Sequence, residues 1–120
     1  MFVSHIKEIE GIKIKDNSMK GVIKKVLISP EEGWKDYVMR LFSLEEGGYT
    51  PKHSHPWEHI NIVLEGKGTL FLDGKKFNIE KGSVAFIPEN KEHQYRADRG
   101  ESLEFICIVP LKGEKGYQLK

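Results

Sequence analysis

GGYTPKHSHPWEHINIVLEG, residues 47–66, places a glycine turn signal, a histidine cluster and an apolar run in direct succession. His53, His55 and His59 fall within seven residues, and a fourth histidine, His93, follows later behind a proline turn. His53 and His55 are two apart, so on an extended strand both rings leave the same face. A strand carrying His59 and a later one carrying His93 could close around them. Neutral imidazole is the commonest metal ligand, and a divalent ion needs several donors converging on one point. The stretch therefore predicts short strands gathered around a metal site.

Outward from this segment the chain reads as strands punctuated by turns. Apolar or alternating runs occur at 21–29, 37–44, 59–65, 69–72, 75–79, 83–87, 93–96 and 103–109. Between them stand Pro30, Glu46-Gly47-Gly48, Pro51, Gly66-Lys67-Gly68, Asp73-Gly74, Lys81-Gly82, Pro88-Glu89-Asn90 and Arg99-Gly100. Asp73-Gly74 is the sharpest hairpin signal, because a type I′ turn needs positive φ at both central positions. No window of helical length holds a 3.6-residue period, although residues 30–37 allow one short helical turn. Eight or more short strands with regular turns imply an all-β sandwich or barrel.

Composition narrows the function classes. A chain of 120 residues with 38% hydrophobic and 31% charged residues suits one globular domain spanning 1–120. The barrel core is expected over about 37–110, with strands within 1–30 added to its sheet or to a partner's. A net charge of +1 gives no reason to expect nucleic acid or an anionic membrane as partner. Lys24-Lys25 and Lys75-Lys76 read as solvated strand faces or turns. The start of the chain shows no apolar signal segment, no run approaches a membrane span, and Cys107 is the only cysteine; the expectation is a cytoplasmic protein.

Residues 103–109, LEFICIV, carry further information. Alternation puts Leu103, Phe105, Cys107 and Val109 on one face, and Glu104, Ile106 and Ile108 on the other. Glu104 marks the outer face, yet Ile106 and Ile108 make it apolar too. A strand apolar on both faces needs a second cover, and a homodimer would supply it.

Two motifs resemble those of the cupin superfamily. The first runs as glycine, five residues, His-x-His, three or four residues, a ligand, six residues, glycine; Gly47, His53, His55, His59 and Gly66 fall in register. The second, glycine, five residues, proline, then a turn and a histidine, is matched by Gly82, Pro88 and His93. There are three departures: His59 stands where the usual glutamate would, Asn90 replaces a glycine, and Ala97 replaces a final asparagine. Asn90 tolerates the left-handed conformation, so the turn should survive. The HSHPWEH run looks like that of small one-domain cupins whose metal is held by four histidines, some of them manganese proteins with oxidative activity. The resemblance thus implies a cupin β-barrel (a jelly roll, or double-stranded β-helix) and metal ligation by His53, His55, His59 and His93. It implies one divalent transition metal per chain, with manganese first; iron, nickel, zinc, cobalt and copper also suit imidazole donors.

Several side chains have two readings. Glu58 competes with His59 as ligand, but alternation turns it to the opposite face. Trp57 is either a lid over the site or an aromatic at a subunit contact. Arg40, if it shares an inward face with Val38 and Phe42, holds a substrate carboxylate or a metal-bound water; otherwise it makes an outward salt bridge. Cys107 is a small buried hydrophobe or part of a pocket wall. Phe105, Val109 and Phe42 would give that pocket its apolar surface. The expected activity is a metal-dependent, dioxygenase-like oxidoreductase acting on a small organic molecule. A metal-bearing binding or sensory module without turnover is the alternative, and a four-coordinate structural zinc is a third reading. Acid should release the metal, with an expected onset below about pH 6.

Overall fold

In the computed structural model, which describes residues 1–118, eight strands lie in one closed antiparallel sheet. They are β1 (Ile12–Ile14), β2 (Lys20–Ile28), β3 (Tyr37–Tyr49), β4 (His59–Leu72), β5 (Lys75–Glu80), β6 (Val84–Ile87), β7 (His93–Ala97) and β8 (Leu103–Pro110). A short helix, α1 (Leu111–Gln118), follows β8 directly. The path runs β1-β2-β3-β7-β4-β5, with β6 on β4, while β8 pairs with both β3 and β4 and closes the barrel. The all-β barrel expected from the strand pattern is therefore what the chain forms. Among the described residues no helix is long and apolar enough to cross a membrane.

Alternation on β3 and β8 sets the inside. Val38, Arg40, Phe42 and Leu44 lie opposite Val109, Cys107, Phe105 and Leu103, and every one of these side chains is buried. With Val63, Leu70 and Tyr95 they make the barrel core, apart from the polar Arg40. A fully buried side chain of this size contributes about 1.5–3 kcal/mol.

The outer face of β8 is covered differently from expectation. Ile106 packs with Leu41 and Leu27, and Ile6, Ile9 and Ile28 of the same chain lie against that cluster. The second cover inferred for the two-sided strand is thus largely intramolecular. It comes from β2 and from the 3-10 turn Ile6–Glu8, which is capped by His5. The other short helical turn, anticipated near Pro30, is a 3-10 turn at Pro30–Glu32 closed by a Ser29/Glu32 capping box.

Two turn signals do not end strands. Glu46-Gly47-Gly48 lies inside β3 and Gly66-Lys67-Gly68 inside β4. These glycines bend long strands round the barrel corners. Gly66 has φ 91°, and a Cβ there would lie 1.9 Å from the carbonyl oxygen of Ser102, so only glycine lets β4 approach β8 so closely. Asp73-Gly74, by contrast, is the expected hairpin, with φ of 51° and 79° between β4 and β5. The helix α1 has no sequence counterpart in period: it contains Gly113 and Gly116 and begins straight after a strand. Lys24 also departs from its reading as a solvated residue, since it is 6% exposed and turned towards α1.

Candidate metal centre

The two histidine-bearing segments are stitched together by backbone. His53 and His93 exchange both N–H···O=C bonds, at 3.1 and 2.9 Å, and the Asn90 N–H donates to the His55 carbonyl at 2.8 Å. Asn90 sits at φ 63°, the left-handed turn expected of the residue standing in for glycine. His59 enters from the start of β4, where alternation turns it inward and leaves Glu58 exposed. As a result the four rings crowd together. The ligand atoms of His53, His55 and His93 all lie within 4.8 Å of one another, and His59 Nε2 lies 3.2 Å from His93 Nε2.

What these rings can do follows from the other nitrogen of each. His55 Nδ1–H donates to the Trp57 carbonyl at 2.9 Å, and His93 Nδ1–H to the Lys91 carbonyl at 2.8 Å. His59 Nδ1–H donates to Asn61 Oδ1 at 2.7 Å; Asn61 Nδ2 in turn donates to the Ile106 carbonyl at 3.4 Å, which fixes the amide orientation. An imidazole whose proton is held at Nδ1 presents a bare lone pair at Nε2. Two such lone pairs then face each other across 3.2 Å between His59 and His93, a repulsive arrangement unless a cation sits between them. Adjacent ligands on one octahedral ion with 2.2 Å bonds would be roughly 3 Å apart, so the spacing suits a shared metal.

Burial keeps these donors neutral. It is the main cause lowering the pKa of His55, His59 and His93 to about 4. The neighbouring imidazoles push the same way at His55 and His93, and the Arg40 charge does so at His59. The donor set fits a divalent transition metal: neutral, nitrogen-only and convergent. Proton competition with a metal should accordingly begin nearer pH 4–5 than the pH 6 expected from free histidine.

A cavity of about 510 Å³ opens beside the histidines. Arg40, Phe105 and Cys107 line it, as does Phe42. Val109 does not: it lies opposite Val38, both at most 1% exposed, and is packed in the core because it stands one inward position beyond Cys107, away from the cluster. Arg40 takes the inward reading. Its Nη2 donates to Cys107 Sγ at 3.0 Å and its Nη1 to Glu114 Oε1 at 3.4 Å. Cys107 Sγ in turn lies 3.5 Å from His59 Nδ1. Trp57 is stacked on His55, with ring centroids 4.3 Å apart and planes inclined by 8°, and it too lines the cavity.

Three residues of the site escaped the sequence reading. Asn61 had a usable signal, being two residues after His59 on the same strand face. Tyr95, likewise two after His93, lines the cavity and is 3% exposed. Glu114 had none: it arrives on α1, where it bonds Lys24 Nζ at 2.7 Å as well as Arg40. The same helix sets Gly113 against Trp57, where a Cβ would lie 2.8 Å from the indole nitrogen.

With fold and site in view, known proteins can be compared. The family model described as the cupin domain matches residues 40–109. Auxin-binding protein 1 of Arabidopsis thaliana is 34% identical over 92 residues, which cover 67% of this chain and 46% of that protein. L-ectoine synthase of Bordetella petrii is 29% identical over 122 residues, covering 96% and 87%. The polyketide cyclase RemF from Streptomyces resistomycificus superposes with a TM-score of 0.85 at 28% identity, covering 92% of this chain and 79% of that one. The chain spans about half the length of the first curated relatives it matches, auxin-binding protein 1 among them.

Proposed function

The chain belongs to the cupin family, and from that premise we propose that it is a small metal-dependent enzyme of the four-histidine type. In this reading His53, His55, His59 and His93 hold one divalent transition metal, manganese first. The reaction is an oxidation of a small organic molecule by dioxygen or a peroxide, in the cytoplasm. The observation that carries the reading is the pair of Nε2 lone pairs 3.2 Å apart, each fixed by a carbonyl oxygen on Nδ1–H. Four neutral donors leave the full +2 charge on a bound ion, which supplies Lewis acidity and, for manganese or iron, electron transfer.

The protein's own groups do the rest. Asn61, Trp57 and Lys91 hold the imidazole protons away from the centre. Phe42 and Phe105, stacked at 5.6 Å, offer an apolar wall to the substrate, and Trp57 covers one side. Arg40 orients the substrate, and Cys107 lies between Arg40 and His59. We also propose a homodimer. Its contact would be the outer face of β4 and β6, where Ile60 and Ile62 pair with Phe86 and Val84 and all four are exposed.

The test is metal content with oxidant-dependent turnover. Purified protein should carry about one metal per chain, His93→Ala should lose it, and the loaded form should consume oxygen with small substrates where the stripped form does not. Undiminished metal in the His93→Ala protein would remove the fourth ligand. Background turnover in both forms would favour a second reading, a ligand-binding module. What supports that reading is the similarity to a protein named for binding auxin.

A further inference from the structure

Two buried hydrogen-bond donors in the cavity wall have no partner among the described residues: the Tyr95 hydroxyl and Arg40 Nε. Tyr95 is 3% exposed and Arg40 6%, and both line the cavity. Buried donors are nearly always satisfied, so a pair of orphans in one cavity marks the place of an acceptor. The other Arg40 nitrogens are engaged, Nη1 with Glu114 and Nη2 with Cys107.

Arg40 and Tyr95 both lie near Cys107, whose Sγ accepts from Arg40 Nη2 at 3.0 Å and which acts electrostatically on the Tyr95 hydroxyl, and flat groups line the wall between them. The Arg40 guanidinium lies over Phe42 at 5.0 Å, Phe42 faces Phe105 at 5.6 Å, and Phe105 faces Tyr95 at 4.2 Å. The Tyr95 phenol carries one O–H, and at 3% exposure it has no solvent to donate to. Lys24 and Glu114 lie outside the cavity lining, and Lys24 and Arg40 share the Glu114 carboxylate, at 2.7 and 3.4 Å.

We propose that this cavity binds a small organic acid. Its carboxylate would accept from Arg40 Nε and the Tyr95 hydroxyl, and its apolar body would lie against Phe42 and Phe105. The proposal rests on the reading of the cavity as a substrate site, and adds the class of molecule that enters it. Glu114 takes on a second meaning, as a resident carboxylate competing for the same guanidinium that the ligand needs.

The experiment is calorimetric titration of the metal-loaded protein with acetate, benzoate and phenylacetate, each beside its neutral primary amide. At least one acid should bind, with its amide at least about tenfold weaker, since only the acid carries charge to the guanidinium. Tyr95→Phe and Arg40→Lys should each weaken the acid about tenfold, whereas Glu114→Gln should tighten it. If Arg40→Lys does not fold, Tyr95→Phe, which loses a single oxygen, decides. Absence of acid binding up to about 10 mM, equal binding of acid and amide, or an unchanged Tyr95→Phe protein overturns the proposal. Repeating the titration on metal-stripped protein separates the two readings. An acid preference that survives stripping and still depends on Tyr95 supports the proposal, and one that depends on the metal alone overturns it. Metal content, measured separately by emission spectrometry, tests the metal reading on its own.

Discussion

Asn61→Ala probes the metal centre without touching a ligand. Asn61 is 1% exposed and accepts the His59 Nδ1–H at 2.7 Å. Removing the amide leaves that buried N–H with only the Cys107 sulfur, a weak acceptor 3.5 Å away, at a cost of about 1–3 kcal/mol. The ring can escape by moving its proton to Nε2, which lies 3.2 Å from His93 Nε2 and would gain a hydrogen bond there. That tautomer has no lone pair left for a metal. A bias of this size, at about 1.4 kcal/mol per tenfold, lowers metal affinity by about 10–100-fold, the range typical of losing a ligand's supporting hydrogen bond. Competition against a chromogenic chelator at pH 7.5 reads the affinity. Asn78→Ala, on the exposed side of β5, is the control, and melting of the stripped proteins reports damage to the fold itself. An Asn61→Ala protein within about twofold of the parent would refute the tautomer argument.

The pH dependence of the stripped protein has a definite sign. The folded chain keeps His55, His59 and His93 neutral down to about pH 4, while the unfolded chain protonates them near 6.5. The unfolded state therefore binds more protons in that window, and stability should fall as pH drops from about 6.5 to about 4. Melts in chelator across the window check this, and a flat Tm would contradict it. Gly113→Ala puts a methyl 2.8 Å from the Trp57 indole nitrogen, and should cost about 1–3 kcal/mol while shifting tryptophan fluorescence as Trp57 moves off His55. An unshifted spectrum with full stability would mean that α1 yields freely. Phe86→Glu on the exposed β4–β6 face should give a monomer by sedimentation velocity, and a parent already monomeric at micromolar concentration would remove the proposed dimer.

Most of the barrel was legible because its strands alternate. LEFICIV assigned four inward residues correctly, and the i, i+2 spacing of His53 and His55 announced that they would share a face. The glycines in β3 and β4 misled, since a glycine that bends a strand and one that ends it look alike in sequence. What distinguishes Gly66 is the Ser102 carbonyl pressed against it, a contact between distant segments. Arg40 could be placed only conditionally, because a cation on an apolar face is stable only with a buried counter-ion. That counter-ion, Glu114, lies on a glycine-containing helix with no periodic signature. Lys24 was misread for the same reason. Val109 shows the opposite failure: its face was right, but sequence gives no measure of how far along the barrel a cavity extends.

The double pairing of β8 governs how the chain comes together in time. Residues 37–44 of β3 find their partners in Leu103–Pro110, roughly sixty residues later in the chain, and at about 5–20 residues per second a ribosome needs several seconds to deliver them. Until then one edge of β3 stands open beside an unfinished β4, with Leu41 and Phe42 uncovered on either side. Such an edge is a template for another nascent chain. Production at low temperature, which slows collisions between unfinished chains as well as synthesis, or with chaperones that shield apolar strands, should therefore improve the yield of closed barrel more than any change to its finished surface.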